Sequence, residues 1–270
     1  MYSIVPKGGL TFYSFAHLES SNLVTHGFTT RAGGVSTGFY RSLNTSFHVG
    51  DDHSHVRANR DLACRSLGIN PRHLVAGRQS HGDGIKLVEE CDLGRGALTY
   101  DDALPDTDAL ITGLRGVPLS SYYADCVPVF LLDPARQVVA LAHAGWQGTV
   151  LKIGLKVVRK MTEFFGTEPR DCLAGIGPSI GPCCYEVDEP VVSRFQDVFH
   201  GGGNLAEAVA PGKWKLNLWE ANRRALLEAG LKPVNILTAR LCTSCHSDLF
   251  FSYRAEKGRT GRMASLLMLK

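Results

Sequence analysis

The stretch YYADCVPVFLLDPARQVVALAHAGWQG, which runs from Tyr122 to Gly148, decides the arrangement of the chain around it. Its apolar residues predict two short strands, Val127–Leu132 and Val138–Ala142. A turn at Asp133-Pro134 joins the two predicted strands. A turn this tight makes the strands antiparallel, so their outer ends should meet in space.

Two reactive side chains flank this predicted hairpin. Cys126 comes directly before the first strand, and His143 comes directly after the second. A thiol held against an imidazole indicates either a nucleophile with its base or two ligands of one metal ion. The alternative is structural: a buried cysteine packing as a small apolar residue, and a hydrogen-bonded histidine at a strand end. The hairpin alone leaves these alternatives open.

The composition is that of an ordinary globular protein and excludes several classes of function. The chain has 270 residues, 44% of them apolar, and a net charge of +3 without blocks of like charge. We therefore expect neither nucleic acid nor a membrane as partner. The amino-terminal MYSIVPKGGLTFYSF does not resemble a signal peptide, which predicts a cytoplasmic protein. Its eight cysteines are then expected as reduced thiols and not as a disulfide framework.

Helical and strand-like segments alternate along the chain without an internal repeat. This alternation predicts a mixed α/β fold, and the absence of a convincing linker predicts one domain over residues 1–270. The spacing of apolar residues predicts one long helix over 148–165 and a strand over 249–253, and the glycines at 201–203 predict a loop.

A glycine-rich segment early in the chain is the best candidate for binding an anion. Gly33 and Gly34 follow a predicted strand, and consecutive glycines let backbone N–H groups converge into an anion-binding nest. Arg31 beside them could clamp a phosphate, and Asn44 in the same loop-rich region completes the candidate substrate- and phosphate-binding set. A plain turn is the alternative.

The segment Cys242-Thr-Ser-Cys245-His246 fits the pattern of covalent haem attachment. Haem attachment requires export, for which the sequence has no signal. Zinc is a second reading, but a closed tetrahedral site would require Cys183 and Cys184 to join in. A buried turn with free thiols is the reading that the sequence favours. The fingerprints of Rossmann, Walker, serine-hydrolase and zinc-deaminase sites do not occur.

A series of ordered motifs resembles one known family over nearly the whole chain. The chain is similar to the YfiH/YlmD group, the laccase-domain or "multicopper polyphenol oxidase" family, whose members are described as purine nucleoside phosphorylases. The matching motifs are Arg31-Ala-Gly-Gly-Val-Ser36, His48-Val-Gly-Asp51, Gln79-Ser-His-Gly82, Asp108-Ala-Leu-Ile-Thr112, Ala124-Asp-Cys-Val-Pro-Val129, His143-Ala-Gly-Trp146, Gly175–Tyr185, Phe251-Ser-Tyr-Arg254 and Thr260-Gly-Arg-Met263.

The resemblance implies a metal site and a particular architecture. It implies Zn²⁺, or Cu²⁺, bound by His81, Cys126 and His143, and a four-layer α/β/β/α fold with mixed sheets. The chain departs from the family pattern at Ser80, where valine is common, and at Gln147, where arginine is common. The loss of a cation at position 147 would weaken the binding of phosphate or substrate.

The resemblance also implies an activity on small molecules. It implies phosphorolysis of adenosine, inosine and S-methyl-5′-thioadenosine, together with deamination of adenosine. Asp125 is then a candidate proton shuttle or partner of the ligands, with a turn-capping role as the alternative. Trp146 or Tyr123 could stack on a purine, with core packing as the alternative.

Two other enzymatic hypotheses remain. Cys126 with His143 could form a cysteine hydrolase that acts on a peptidoglycan precursor. A copper polyphenol oxidase fits the older family name, but His53-x-His55 is the one H-x-H pair in the sequence and lies outside the matching motifs.

Overall fold

The computed structural model of the protein describes residues 2–199 and 205–270. The loop predicted at 201–203 lies outside the described residues. None of the described helices combines the length and the apolar character that a membrane crossing demands.

Within the described residues, the strands and helices alternate as the sequence predicts. The strands are β1 (Tyr2–Lys7), β2 (Leu10–Phe15), β3 (Val24–Thr29), β4 (Val75–Ala76), β5 (Ile85–Leu87), β6 (Ala109–Thr112), β7 (Leu119–Tyr123), β8 (Val127–Asp133), β9 (Val138–Ala144), β10 (Leu173–Ile176), β11 (Glu186–Asp188), β12 (Ala206–Ala210), β13 (Lys213–Leu216), β14 (Ile236–Thr238) and β15 (Met263–Leu269). The α-helices are α1 (Ala16–Ser20), α2 (His53–Ser66), α3 (Trp146–Val150), α4 (Ile153–Phe165), α5 (Glu189–Val198) and α6 (Leu218–Glu228).

Two six-stranded sheets pack face to face. Their strand orders are β1-β2-β3-β15-β7-β4 and β14-β10-β8-β9-β6-β5. The layer between them is rich in large apolar side chains, with Phe15 and Phe28 from the first sheet meeting Phe130 and Leu141 from the second. Both sheets are mixed, because most neighbouring strands are antiparallel whereas β4/β7, β5/β6 and β10/β14 are parallel.

Helices cover the outer faces of both sheets. On the first sheet, Ala63 and Cys64 of α2 pack with Phe12 and Leu266. On the second sheet, α4 and α6 pack their apolar stripes over β8 and β9. The four-layer α/β/β/α architecture is therefore confirmed. A small antiparallel sheet, β11-β13-β12, lies in addition to these layers.

Two local predictions are wrong. The helix predicted over 148–165 is broken into α3 and α4, because Lys152 adopts a left-handed conformation with φ of 53°. The strand predicted over 249–253 is irregular. Phe250 and Phe251 are fully buried there, but their N–H groups bond to the His246 carbonyl and to Met263 Sδ. Apolar character at this point reflects a loop that enters the core, not a sheet.

Candidate metal centre

The antiparallel pairing of β8 with β9 brings Cys126 and His143 together. Val127 pairs with Ala144 and Pro128 with His143, so Cys126 lies one residue beyond the end of the paired strand. His143 lies inside β9 and not after it, because its N–H donates to the Asp108 carbonyl at 2.7 Å and extends the sheet. The hairpin geometry thus places the thiol beside the imidazole.

His81 completes a compact group of possible metal ligands with these two residues. The ligand atoms of His81, Cys126 and His143 all lie within 4.8 Å of one another, and we call these three residues the His/Cys cluster. Two imidazoles and a thiol are donors that zinc and copper both accept. Three protein ligands leave one coordination position open, as catalytic zinc sites do.

Gly145 gives the His/Cys cluster the room it requires. A Cβ at position 145 would lie 3.2 Å from Cys126 Sγ and 3.2 Å from His81 Cδ2. These distances are shorter than ordinary van der Waals contact, so a side chain here would press on two of the three ligands. The absence of a side chain at this position is therefore part of the site.

Asp108 is the organising carboxylate of the cluster, and the sequence reasoning missed it as a site residue. Its Oδ1 bonds to His143 Nδ1 at 2.8 Å, which aims the other ring nitrogen at the cluster. The carboxylate also accepts the backbone N–H groups of His81 at 3.1 Å and Gly82 at 2.9 Å, and the Ser80 hydroxyl at 3.1 Å. These bonds lower the pKa of Asp108 although burial alone would raise it.

A signal for Asp108 exists in the strand pairing. Ala109 of β6 pairs with Ala142 of β9, so the residue before Ala109 stands opposite the residue after Ala142. Asp108 directly precedes the buried strand β6, and β6 pairs with β9, which carries His143. An acidic residue in that position is a candidate partner of the histidine. Ser80, a departure from the family pattern, uses its hydroxyl on this same carboxylate.

Two residues of the site adopt left-handed backbone conformations that are uncommon outside glycine. His81 has φ of 62° and Asp125 has φ of 83°. Such conformations cost about 1–3 kcal/mol and persist only where the surrounding structure imposes them. Here Asp108 fixes the backbone of His81, and the turn at Asp125 presents Cys126 to the cluster.

The thiol and the imidazole shift each other's ionisation. Burial by itself would raise the pKa of Cys126, but the facing His143, aided by His81, lowers it to about 6. Burial alone would lower the pKa of His143, but Cys126 and Asp108 raise it to about 9. A thiolate is the form of cysteine that binds metals and attacks electrophiles.

The His/Cys cluster lies on the wall of a cavity of about 440 Å³. This volume is within the range of small-ligand sites. Aromatic rings and arginines make up most of the remaining lining, which consists of His48, Gln79, Tyr122, Ala124, Asp125, Trp146, Ile180, Tyr185, Tyr253, Arg254 and Arg262. Sequence reasoning singled out neither arginine, although both lie inside motifs that carry the resemblance.

Both carboxylate oxygens of Asp125 have hydrogen-bond donors. The Thr243 hydroxyl donates to Oδ1 at 2.6 Å, and the Arg254 N–H donates to Oδ2 at 2.7 Å. The Asp125 carbonyl accepts from Ile180 N–H at 2.9 Å. Asp125 therefore ties the turn that carries Cys126 to two neighbouring loops.

Arg31 and Gly34 do not line the cavity, and their polar groups serve the surrounding loops. The Arg31 guanidinium donates to the Ser247 carbonyl at 2.6 Å and to Glu256 at 3.0 Å. Gly33 has the left-handed φ of 93° that a nest uses, but the Gly34 N–H donates to Ser42 Oγ.

Asn44 lies outside the cavity lining as well. Its side chain is fully buried, and its Oδ1 accepts the backbone N–H of Arg262 at 2.9 Å. Asn44 therefore supports a residue that faces the cavity.

The other singled-out side chains divide between the cavity and its surroundings. Trp146 lines the cavity, whereas Tyr123 is buried with its hydroxyl bonded to the Ala142 carbonyl. Gln147 is exposed and lies outside the lining, as do His53 and His55 at the start of α2.

The four-layer fold and an open cluster of two histidines and one cysteine define a class of α/β proteins with a candidate mononuclear metal centre. The sequence model described as multi-copper polyphenol oxidoreductase laccase matches residues 25–270. The chain belongs to this family, and the resemblance noted in the sequence is confirmed.

Similar proteins span almost the full chain. Purine nucleoside phosphorylase YlmD of Bacillus subtilis (strain 168) is 37% identical over 270 residues, which is 100% of this chain and 97% of the relative. Adenosine deaminase RL5 of an unknown prokaryotic organism is 34% identical and covers 87% of this chain and 89% of its own. The crystal structure of the Bacillus licheniformis hypothetical protein YfiH has a TM-score of 0.94 at 38% identity, covering 100% of this chain and 99% of its own.

Proposed function

We propose that the chain acts as one catalytic domain over residues 1–270 and is a metal-dependent purine nucleoside phosphorylase. Its reaction would convert adenosine or inosine and phosphate into the free base and ribose 1-phosphate. From S-methyl-5′-thioadenosine it would give adenine and 5-methylthioribose 1-phosphate. The names of two relatives, a phosphorylase and an adenosine deaminase, support phosphorolysis as the main activity and deamination of adenosine as a second one.

The observation that carries this proposal is the shared location of the His/Cys cluster and two arginines. A cavity of about 440 Å³ contains the cluster together with Arg254 and Arg262. Phosphorolysis requires a bound phosphate near the sugar and a site for the leaving base. Guanidinium groups bind phosphate oxygens well, and aromatic rings such as Trp146 and Tyr185 offer faces for a purine.

Arg262 is the best phosphate contact in this proposal. Its Nη1 donates to the carbonyls of Thr260 and Gly261, which fixes the side chain against the cavity wall. Asn44 holds its backbone, and Arg31 holds the same segment through Glu256. We therefore assign Arg31 and Asn44 to positioning this wall, and Gly33 and Gly34 to shaping their own loop, with none of the four in direct contact with phosphate.

Zinc is the metal we propose for the cluster, with copper as the other candidate, because the donor set suits both. A zinc ion there would supply an activated water for deamination and a positive charge that stabilises the negative charge developing on the leaving group. The residues of the chain hold and orient this centre. Cys126 serves as a thiolate ligand, Asp108 orients His143, and Asp125 fixes the turn that presents Cys126.

Product analysis with adenosine, in the presence and absence of phosphate, tests the proposal. When phosphate is present, we expect ribose 1-phosphate in an amount equal to the sum of the free bases, adenine and any hypoxanthine formed from inosine. Inosine is the expected deamination product. Arg262→Lys keeps a cation but loses the planar fork, so it should raise the KM for phosphate more than the KM for adenosine. Absence of any free base, adenine or hypoxanthine, in metal-loaded protein with phosphate would refute phosphorolysis.

A cysteine hydrolase that acts on a peptidoglycan precursor is a second candidate, favoured by one observation. The pKa of Cys126 is lowered to about 6 beside His143, and Asp108 bonds to the far side of that imidazole. Nucleophile, base and orienting carboxylate have this arrangement in cysteine hydrolases. A hydrolase of this kind would work equally well after chelation, whereas the phosphorylase would not.

Oxidation of polyphenols by copper is the candidate with the least support. His53 and His55 lie at the start of α2 and do not reach the His/Cys cluster.

Location in the cytoplasm, where nucleosides and phosphate are both available, fits the proposed reaction.

A further inference from the structure

A second group of thiols lies outside the His/Cys cluster. The Sγ atoms of Cys183, Cys184, Cys242 and Cys245 all lie within 4.8 Å of one another, and we call these residues the four-cysteine cluster. Cys245 Sγ is 3.4 Å from Cys184 Sγ and 3.5 Å from Cys183 Sγ.

Sheet topology explains why two distant segments supply these thiols. Strands β10 and β14 are parallel neighbours, so their carboxyl ends point the same way and the loops that follow them start side by side. A bridge between Ser179 and Cys242 continues this parallel pairing into the loops. The turn after β10 then carries Cys183 and Cys184, and the turn after β14 carries Cys242 and Cys245.

The spacing of the sulfur atoms suits a tetrahedral metal ion. Zinc binds thiolates at about 2.3 Å, and a tetrahedron of that size has corners about 3.8 Å apart. The closest observed sulfur pairs, at 3.4 and 3.5 Å, are near this spacing. A disulfide joins only two sulfurs, whereas Cys245 approaches both Cys183 and Cys184.

The surroundings of the cluster are adapted to thiolates. The Gly181 N–H donates to Cys242 Sγ at 3.2 Å, a bond that strengthens when the sulfur carries negative charge. A Cβ at Gly181 would lie 3.2 Å from Cys183 Sγ and 2.6 Å from the Trp219 ring, so the turn has room for glycine alone. His246 lies outside this group of four ligand atoms, and its Nδ1 bonds to the Cys242 carbonyl at 2.9 Å.

We propose that the four-cysteine cluster is a second, structural metal site that binds a thiophilic cation with tetrahedral preference, zinc or iron. Four protein ligands close the coordination sphere, so this ion does not take part in the reaction. It clamps the loop after β10 to the loop after β14.

These two loops form part of the cavity wall. The first contains Ile180 and Tyr185, and both residues line the cavity. The second contains Thr243, whose hydroxyl bonds to Asp125 beside Cys126. Arg254 Nη1 donates to the Glu186 carbonyl at 3.0 Å and so fastens the cavity arginine to the start of β11, directly after the first loop. A metal ion in the four-cysteine cluster would therefore fix the walls around the His/Cys cluster.

Metal counting on matched variants tests this site without reference to activity. Reduced protein is loaded with zinc, freed of excess ion, and analysed for metal per chain. We expect two equivalents in the wild type, one in Cys245→Ser and one in Cys126→Ser. The exposed Cys91 lies outside both clusters, so Cys91→Ser is the control and should keep two. A Cys245→Ser protein that binds as much metal as the wild type would overturn the proposal.

X-ray absorption of the Cys126→Ser protein, purified without added metal, gives a second readout that does not depend on the folding of Cys245→Ser. The proposed site predicts an ion with sulfur neighbours only, at about 2.3 Å. The absorption edge then separates zinc from iron. Nitrogen neighbours, or four thiols found as disulfides in freshly purified protein, would contradict the proposal.

Discussion

The His/Cys cluster and the four-cysteine cluster are built from similar donors but differ in what surrounds them. The His/Cys cluster has three possible metal ligands, faces a cavity of about 440 Å³ and rests on the buried carboxylate of Asp108. The four-cysteine cluster has four possible ligands of one type, held by two turns that follow parallel strands. An open coordination position beside a cavity permits chemistry, whereas a closed sphere permits only stabilisation.

The largest expected effect separates the clusters by activity. Cys126→Ser should lower phosphate-dependent release of adenine by more than about a hundredfold, because residues that merely orient a metal ligand already contribute 10–100-fold. Cys245→Ser should keep most of the activity per folded molecule. Initial rates on protein of known metal content check this prediction. A normal rate in Cys126→Ser would show that the activity does not depend on the His/Cys cluster.

The half-buried thiol of Cys126 should react faster than the exposed thiol of Cys245, although exposure alone favours Cys245. Facing histidines lower the pKa of half-buried Cys126 to about 6, whereas hydrogen bonding with Cys184 raises the pKa of exposed Cys245 to about 11. As pH rises, thiolate therefore forms near pH 6 at Cys126 and only near pH 11 at Cys245. In chelated protein at neutral pH, iodoacetamide should modify Cys126 about a hundredfold faster.

Peptide mass spectrometry of partly alkylated protein measures both rates in one sample. Faster labelling of Cys245 would show that accessibility outweighs ionisation here.

Removing the charge of Asp108 should weaken the open cluster and leave the closed one intact. Asp108→Asn keeps the shape of the side chain but loses the carboxylate that holds His143 Nδ1 and the N–H groups of His81 and Gly82. We expect a 10–100-fold loss of metal affinity or activity. Competition with a chelating dye measures the affinity, and the ion of the four-cysteine cluster, measured in the same titration, is the internal control.

The smallest effect concerns the hydrogen bond that joins the two regions. Thr243→Val removes the hydroxyl that donates to Asp125 at 2.6 Å. A hydrogen bond to a charged group contributes about 1.5–3 kcal/mol, so unfolding free energy should fall by that amount. Thr243→Ser keeps the hydroxyl and should recover most of the loss in denaturant titrations. Equal stability of both variants would mean that the bond does not couple the loops.

The two clusters also differ in how far the sequence could predict them. Cys126 and His143 flank a tight hairpin, and local pairing places them together without knowledge of the rest of the fold. His81 reaches them from a distant loop, so only the family resemblance singled it out. Asp108 required the register between β6 and β9, which periodicity alone does not supply.

The four-cysteine cluster depends entirely on non-local structure. Its two turns become neighbours because β10 lies parallel to β14, a pairing across several intervening elements. The sequence favoured free thiols at Cys242 and Cys245 for this reason. The glycines near Arg31 show that a local conformation can be predicted without its role. Gly33 adopts the left-handed conformation that a nest uses, but its loop does not line the cavity.

Metal-dependent turnover in the Cys245→Ser protein tests the central claim most directly, because this variant retains only the His/Cys cluster. The protein is stripped with a chelator, zinc is added in steps, and adenine release from adenosine is measured in the presence of phosphate. Activity should be absent at first, rise with added zinc and level off at one equivalent per chain. Full activity before any zinc is added would contradict a metal centre at His81, Cys126 and His143 and would favour a cysteine nucleophile.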